Sequence, residues 1–173
     1  MKGILTRIIF PGALVALVAA PLAAQGGLML GGGLTLPKSD YEDVVEEGWH
    51  GMAGFDFVPA GTGLGIRVDG AYHLNSVIAP VDLDAAVAII AVSGNGVFHF
   101  AGSGISPYLM GGVTWASANC SGDDCISEES ESDVGYNVGG GLRFGSLFVE
   151  ARYVSISGDV DADFIPITLG FHF

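Results

Sequence analysis

From Gly27 to Phe173, bulky apolar residues alternate with polar or small ones at a period of two, in segments of about ten residues. The last segment is the cleanest. Ile165, Ile167, Leu169, Phe171 and Phe173 share one face, while Pro166, Thr168, Gly170 and His172 share the other. Segment 133–145 repeats the division, with Val134, Tyr136, Val138, Leu142 and Phe144 against Gly135, Asn137, Gly139, Gly141, Arg143 and Gly145. In 64–76 the apolar face is Leu64, Ile66, Val68, Tyr72 and Leu74, opposed by Arg67, Asp69, His73 and Asn75. The same holds for 48–58 and 107–118, and less cleanly for 27–37, 86–101 and 147–157. Successive side chains of a strand point to opposite sides of a sheet, so eight strands with one greasy face are expected.

Composition decides which way that face turns. Hydrophobic residues make up 50% of the chain and charged residues only 14%, against about a quarter charged in a soluble domain. Past the N-terminus no run of 18 apolar residues occurs, so helical membrane spans are not expected. A soluble lipocalin-like barrel would also alternate, with its apolar face inward. Here the polar faces carry many glycines and few charges, which suits a narrow lumen, and the other faces are bulky and almost uncharged, which suits lipid.

The connections point the same way. Those at 59–63, 102–106 and 145–146 are brief, Gly-rich and uncharged, whereas those at 38–47, 77–85, 119–132 and 158–162 are mostly longer and rich in acids. Outer-membrane barrels pair short periplasmic turns with longer external loops. Ten residues at about 3.3 Å each, tilted about 40°, rise roughly 25 Å, the height of the apolar band. Following the chain up and down sets Trp49, Tyr72, Trp115, Tyr136 and Tyr153 at the outer strand ends. Phe57, Phe100, Phe144, Phe171 and Phe173 fall at the periplasmic ends, so two aromatic girdles are expected.

Residues 1–24 read as a cleavable signal peptide, with Lys2 and Arg7 before the apolar stretch Ile8 to Ala20 and a small-residue site at Leu22-Ala23-Ala24. Cleavage would leave a barrel domain at 25–173 carrying four bases against all 19 acids, a net charge of −15. That balance argues against nucleic acid as a partner.

The stretch Ser106-Pro107-Tyr108-Leu109-Met110-Gly111-Gly112-Val113 and the ending Ile165 to Phe173 resemble the OmpA/OmpX-type and opacity-porin-like outer-membrane β-barrel family. The resemblance covers the whole mature chain. It implies an all-β, eight-stranded antiparallel up-and-down barrel in the bacterial outer membrane, with both termini periplasmic. It further implies that Leu169, Phe171 and Phe173 are the signal read by the barrel-assembly machinery; because the sequence stops at the last strand, no periplasmic peptidoglycan-binding domain is expected to follow.

Within the lumen, alternation turns Arg67, Arg143 and Arg152 inward together with Asp56, Asp69 and Glu150, a neutral set. Pairing residues 59 and 64 across the first short turn sets Asp56 opposite Arg67. A Gly145-Ser146 turn sets Glu150 diagonal to Arg143 and two residues from Arg152. An unpaired charge in so narrow a space would cost several kcal/mol, so a packed polar core is expected. A small ion or solute channel is the first alternative, although eight strands leave an interior that side chains nearly fill.

Other chemistry is weakly marked. His50 falls opposite His73, but a metal would need a third ligand. Cys120 and Cys125 in the longest acidic loop are expected to form a disulfide in an oxidising compartment. Asp159, Asp161 and Asp163 resemble the opening of a calcium loop without the residues that complete one, so divalent cations, or bridges to lipopolysaccharide phosphates, would bind weakly. A lipid A-modifying enzyme would need a His–Ser pair and an acid on the outer rim; His73 and Ser76 come nearest, yet His73 points inward. No GxSxG elbow, phosphate loop or zinc-hydrolase spacing occurs. The expected role is therefore non-enzymatic and cofactor-free: an envelope barrel in contact with lipid and lipopolysaccharide, presenting acidic loops. The family resemblance also implies adhesion or partner binding through those loops, although no specific surface partner and no oligomeric state follow from these residues.

Overall fold

The computed structural model describes residues 24–78, 85–102, 104–121, 130–158 and 160–173. They form eight strands: β1 (Ala24–Lys38), β2 (Gly48–Pro59), β3 (Leu64–Ser76), β4 (Ala86–His99), β5 (Ile105–Ser121), β6 (Glu131–Phe144), β7 (Leu147–Ile156) and β8 (Ala162–His172). Each pairs antiparallel with its neighbours in sequence, and β8 closes on β1, from Met29 beside His172 to Lys38 beside Asp163. Closure leaves no unpaired sheet edge, which is what lets strands cross a membrane.

The ladders run past the segments read from alternation. β5 extends to Ser121 and β8 begins at Ala162. Alternation marks only the part of a strand that meets lipid, whereas backbone pairing continues into water, where the outward residue no longer needs to be apolar.

The turns at the two ends differ as expected. Pro59 to Leu64, His99 to Ile105 and Phe144 to Leu147 are tight, with positive φ at Gly61, Gly63, Gly104 and Gly145. A left-handed backbone is nearly free for glycine, so these turns can reverse in a few residues. Both ends of the described chain lie at this short-turn end, since Ala24 pairs with Pro59 and Phe171 with Leu147. At the other end a short 3-10 helix, Ser39–Asp43, follows β1 and is stitched to β3: Glu46 donates to the Ser76 carbonyl, Ile78 to that of Val44, and Val45 bridges Val77.

The outer surface is apolar. Leu28, Leu30, Ile66, Val68, Leu109, Val113, Val138 and Leu169 all stand exposed on it. Aromatics gather at its margins, with ring centroids 5.9 Å apart for Trp49 and Tyr72, 6.4 Å for Tyr136 and Tyr153, and 6.3 Å for Phe171 and Phe173. Phe57 lies at the short-turn end of β2 and is half-buried there. Among the described residues, then, the buried core is the barrel's own interior.

Candidate functional site

The lumen is filled in two regions of different chemistry. Nearer the short turns, alternation directs Asp56 of β2, Arg67 and Asp69 of β3, and Glu150 and Arg152 of β7 into one cluster, each no more than 8% exposed. Asp56 and Arg67 are direct cross-strand partners. The guanidinium grips that carboxylate in a fork, Nε to Oδ1 and Nη2 to Oδ2, the latter at 3.0 Å. Such bidentate pairing fixes both groups more firmly than a single bond would. The other arm of Arg67, through Nη1, reaches Glu150 on β7, four strands away around the ring and therefore on the opposite wall. Glu150 also accepts from Tyr108 Oη at 2.7 Å and from Arg152 Nε. Arg152 continues to Asp69 at 2.7 Å, and Asn95 donates to the second oxygen of Asp69 at 3.0 Å. The Tyr108 ring lies 5.1 Å from the Arg67 guanidinium carbon, a cation–π contact.

One residue expected in this network stands outside it. Arg143 turns toward the lumen but is half-buried and makes no ion pair among the described residues. Its cross-strand neighbour on β7 is Phe148, so Glu150 does lie diagonal to it. The carboxylate nevertheless goes to Arg67 on the opposite wall, to Tyr108 of β5, and to Arg152 two residues along its own strand. The connected cluster thus holds three carboxylates and two guanidiniums, one negative charge in excess, rather than the neutral set that counting inward residues suggests.

Above this cluster, His50 and His73 face each other across β2 and β3 with ring centroids 5.1 Å apart. Their Nδ1 atoms both meet Thr35 Oγ1, at 3.2 and 2.9 Å, and His50 Nε2 meets Thr168 Oγ1 at 2.9 Å. The Thr35 hydroxyl has one proton to donate, so it donates to one ring and accepts from the other. Beyond this polar pair the lumen turns apolar. Ile89, Ala91, Ala116, Val154, Ile156, Ala162 and Phe164 pack together under Tyr41 and Val45, which the 3-10 segment lays over the mouth. This departs from the polar lumen expected throughout, since inward positions on β4, β7 and β8 are apolar in their outer halves. Between the two regions remains a cavity of about 30 Å³, lined among others by His50, His73, Asp69, Arg152 and Phe164. That volume is of the order needed for a single water molecule.

The remaining sequence candidates are dispersed. His73 is buried inward, whereas Ser76 is exposed at the end of β3, so no lipid-facing His–Ser pair forms. Asp163 accepts from Ser39 Oγ and Tyr153 Oη, each at 2.9 Å, and Asp161 is exposed. Asp159 lies outside the described residues. Cys120 lies beside Val87 at the outer end of β5, and Cys125 lies outside the described residues, so the pairing between them is not described. Leu169, Phe171 and Phe173 stand on the outer surface near the short-turn end. Inspection of the sequence missed Tyr108, His99 and His172 as lumen partners. Parity turned all three inward, but only curvature reveals which strands meet across a barrel.

Residues 11–173 match the family profile described as outer membrane protein beta-barrel domain. Among solved structures, the fold is similar to Neisserial surface protein A at a TM-score of 0.65 and 12% identity, covering 85% of this chain and 95% of that one. It is similar to Ail, the attachment invasion locus protein of Yersinia pestis, in complex with the heparin analogue sucrose octasulfate, at a TM-score of 0.60 and 20% identity, covering 88% and 100%. A third likeness is to the outer membrane enzyme PagL, at 0.52 and 18%, covering 85% and 98%. No curated protein sequence matches. At these identities the structural likenesses speak to the fold alone.

Proposed function

This chain belongs to the outer membrane protein beta-barrel family, and on that footing we propose that it is a non-enzymatic, non-conducting barrel that braces the envelope and presents acidic loops at the cell surface. The observation that carries this reading is the filled lumen. Ion pairs tie β3 to β7 across it, and an apolar plug from β4, β5, β7 and β8 lies beneath Tyr41 and Val45. An ion entering would have to break buried pairs that cost several kcal/mol to separate. Planar-bilayer recordings of the refolded barrel are expected to give no sustained conductance; steady open levels would overturn the proposal in favour of the small-channel reading.

Residues 1–24 act in this reading as a leader cleaved on export, with residues 25–173 the mature barrel. The termini and short turns face the periplasm, and the four longer connections face outward, as short and long connections do in such barrels. Leu169, Phe171 and Phe173 serve as the assembly signal. A Cys120–Cys125 disulfide tightens the longest loop, and acids around Asp159, Asp161 and Asp163 make weak contacts with divalent cations or lipopolysaccharide. Lipid contact follows from the apolar exterior. The polyanion held by Ail is a poor guide to a partner, because the connections at 38–47, 77–85, 119–132 and 158–162 hold 14 acids and only Lys38 as a base. A cationic surface or a metal-bridged one fits that charge better. Likeness to PagL keeps catalysis as the rival reading, and the separation of inward His73 from exposed Ser76 weighs against it. Unchanged lipid A mass spectra on expression are expected.

A further inference from the structure

The cavity between the two fillings of the lumen is bordered by polar groups whose hydrogen bonds are incomplete. Arg152 gives Nε to Glu150 and Nη1 to Asp69, and its Nη2 meets no acceptor among the described residues. Ser93 and Thr114 share one hydrogen bond of 2.9 Å, and Asn137 donates to Thr114 at 2.9 Å, so one of the pair's two hydroxyl protons is left over. His73 Nδ1 meets Thr35, whereas its Nε2 meets no hydrogen-bond partner among the described residues. Asp69 accepts from Arg152 and Asn95, and each of its oxygens keeps a lone pair. We propose that this cavity binds a single structural water, which accepts from Arg152 Nη2 and the Ser93–Thr114 pair and donates to His73 Nε2 and Asp69.

Three features support it. The first is room. The cavity measures about 30 Å³, and a buried water needs about 10–15 Å³ together with two to four polar partners. Ala91, Val154 and Phe164 close its apolar side, which confines the space to one molecule. The second is demand. His73, Asp69, Ser93, Thr114 and Arg152 all border the cavity and are buried from bulk solvent, so a bond not made here is not made elsewhere. Arg152 and Asp69 already neutralise each other, which suits an uncharged ligand better than an ion. The third is the proton count. Arg152 cannot accept, and the hydroxyl pair has a proton to spare, so these two donors fill the lone pairs of the water. Its own protons are then directed outward, and His73 Nε2 must receive one of them. His73 therefore carries its proton on Nδ1 and gives it to Thr35 Oγ1; Thr35 in turn donates to His50 Nδ1, and His50 Nε2 donates to Thr168. One bound water thus sets two opposite tautomers and joins both imidazoles to the ionic cluster in a single hydrogen-bonded chain.

The site is independent of whether the barrel conducts, so bilayer recordings bear on the one and not on the other. The test uses the ¹⁵N-labelled barrel in detergent micelles at neutral pH. Long-range proton–nitrogen spectra, assigned through His50→Gln and His73→Gln, read the tautomer of each ring, and oxygen-17 relaxation dispersion counts long-lived waters. His73 is expected as the Nδ1–H form and His50 as the Nε2–H form. Ala91→Val places two further methyl groups at the cavity and should remove one long-lived water per chain, with the His73 tautomer no longer held to Nδ1–H. Heat-dependent gel mobility verifies folding, and if Ala91→Val fails to fold, Ser93→Ala, which takes away one of the partners, should shorten the residence of the same water. A wild type without any long-lived water would overturn the site, as would His73 in the Nε2–H form. An unchanged water count and unchanged tautomers in folded Ala91→Val would do the same.

Discussion

Near the short turns the lumen is filled by charged side chains that meet across it, and beneath the long connections it is filled by aliphatic and aromatic ones. Both fillings join opposite walls: Arg67 of β3 reaches Glu150 of β7, and Ile89 of β4 shares a cluster with Phe164 of β8. They differ in how they hold. A buried ion pair contributes little net stability against an apolar replacement of the same shape, yet removing one partner strands the other. Apolar burial is forgiving of detail, and each large side chain contributes about 1.5–3 kcal/mol. The ionic half thus enforces which strands face each other, and the apolar half supplies cohesion and seals the mouth under Tyr41.

The sharpest way to break this comparison is Arg67→Ala. It leaves Asp56 and Glu150 buried without their shared cation, and should destabilise the barrel by about 3–5 kcal/mol in denaturant unfolding from micelles. A loss below about 1 kcal/mol would mean that water already solvates the cluster. Phe164→Ala empties the apolar half and should cost about 3 kcal/mol, with no dependence on ionic strength. A salt-dependent loss there would blur the division between the halves. Thr35→Val keeps the shape but removes the hydroxyl shared by His50 and His73, and should cost about 2 kcal/mol by the same measurement.

The smallest effect is expected at Tyr41, whose buried hydroxyl has no partner. Tyr41→Phe should be neutral or stabilising by up to about 1 kcal/mol at neutral pH. Burial pushes the Tyr41 phenol from 10.0 up to about 12. Because the folded state retains the proton longer, its contribution is intact below the unfolded value and is lost as pH rises toward the folded one. Wild-type melting should therefore decline more steeply above about pH 10 than that of Tyr41→Phe. Identical alkaline profiles would show that the cap over the apolar half is loose.

Much of this was legible in the residues. Period-two alternation from Gly27 to Phe173 specified strands and the outward face, and the Asp56–Arg67 and His50–His73 pairings followed from counting back from one short turn. Pairing across a turn is local, because register is set by a few residues. The same counting could not foresee that Glu150 would desert Arg143 for Arg67, nor that His99 and His172 would converge on Asp56. It also misjudged the outer lumen, where Ile89, Ile156 and Phe164 face inward. Alternation states which side of a strand a residue occupies, since that depends only on backbone pleat. Which side chains meet across the interior depends on closure, tilt and stagger of all eight strands together, and those exist only in the assembled barrel.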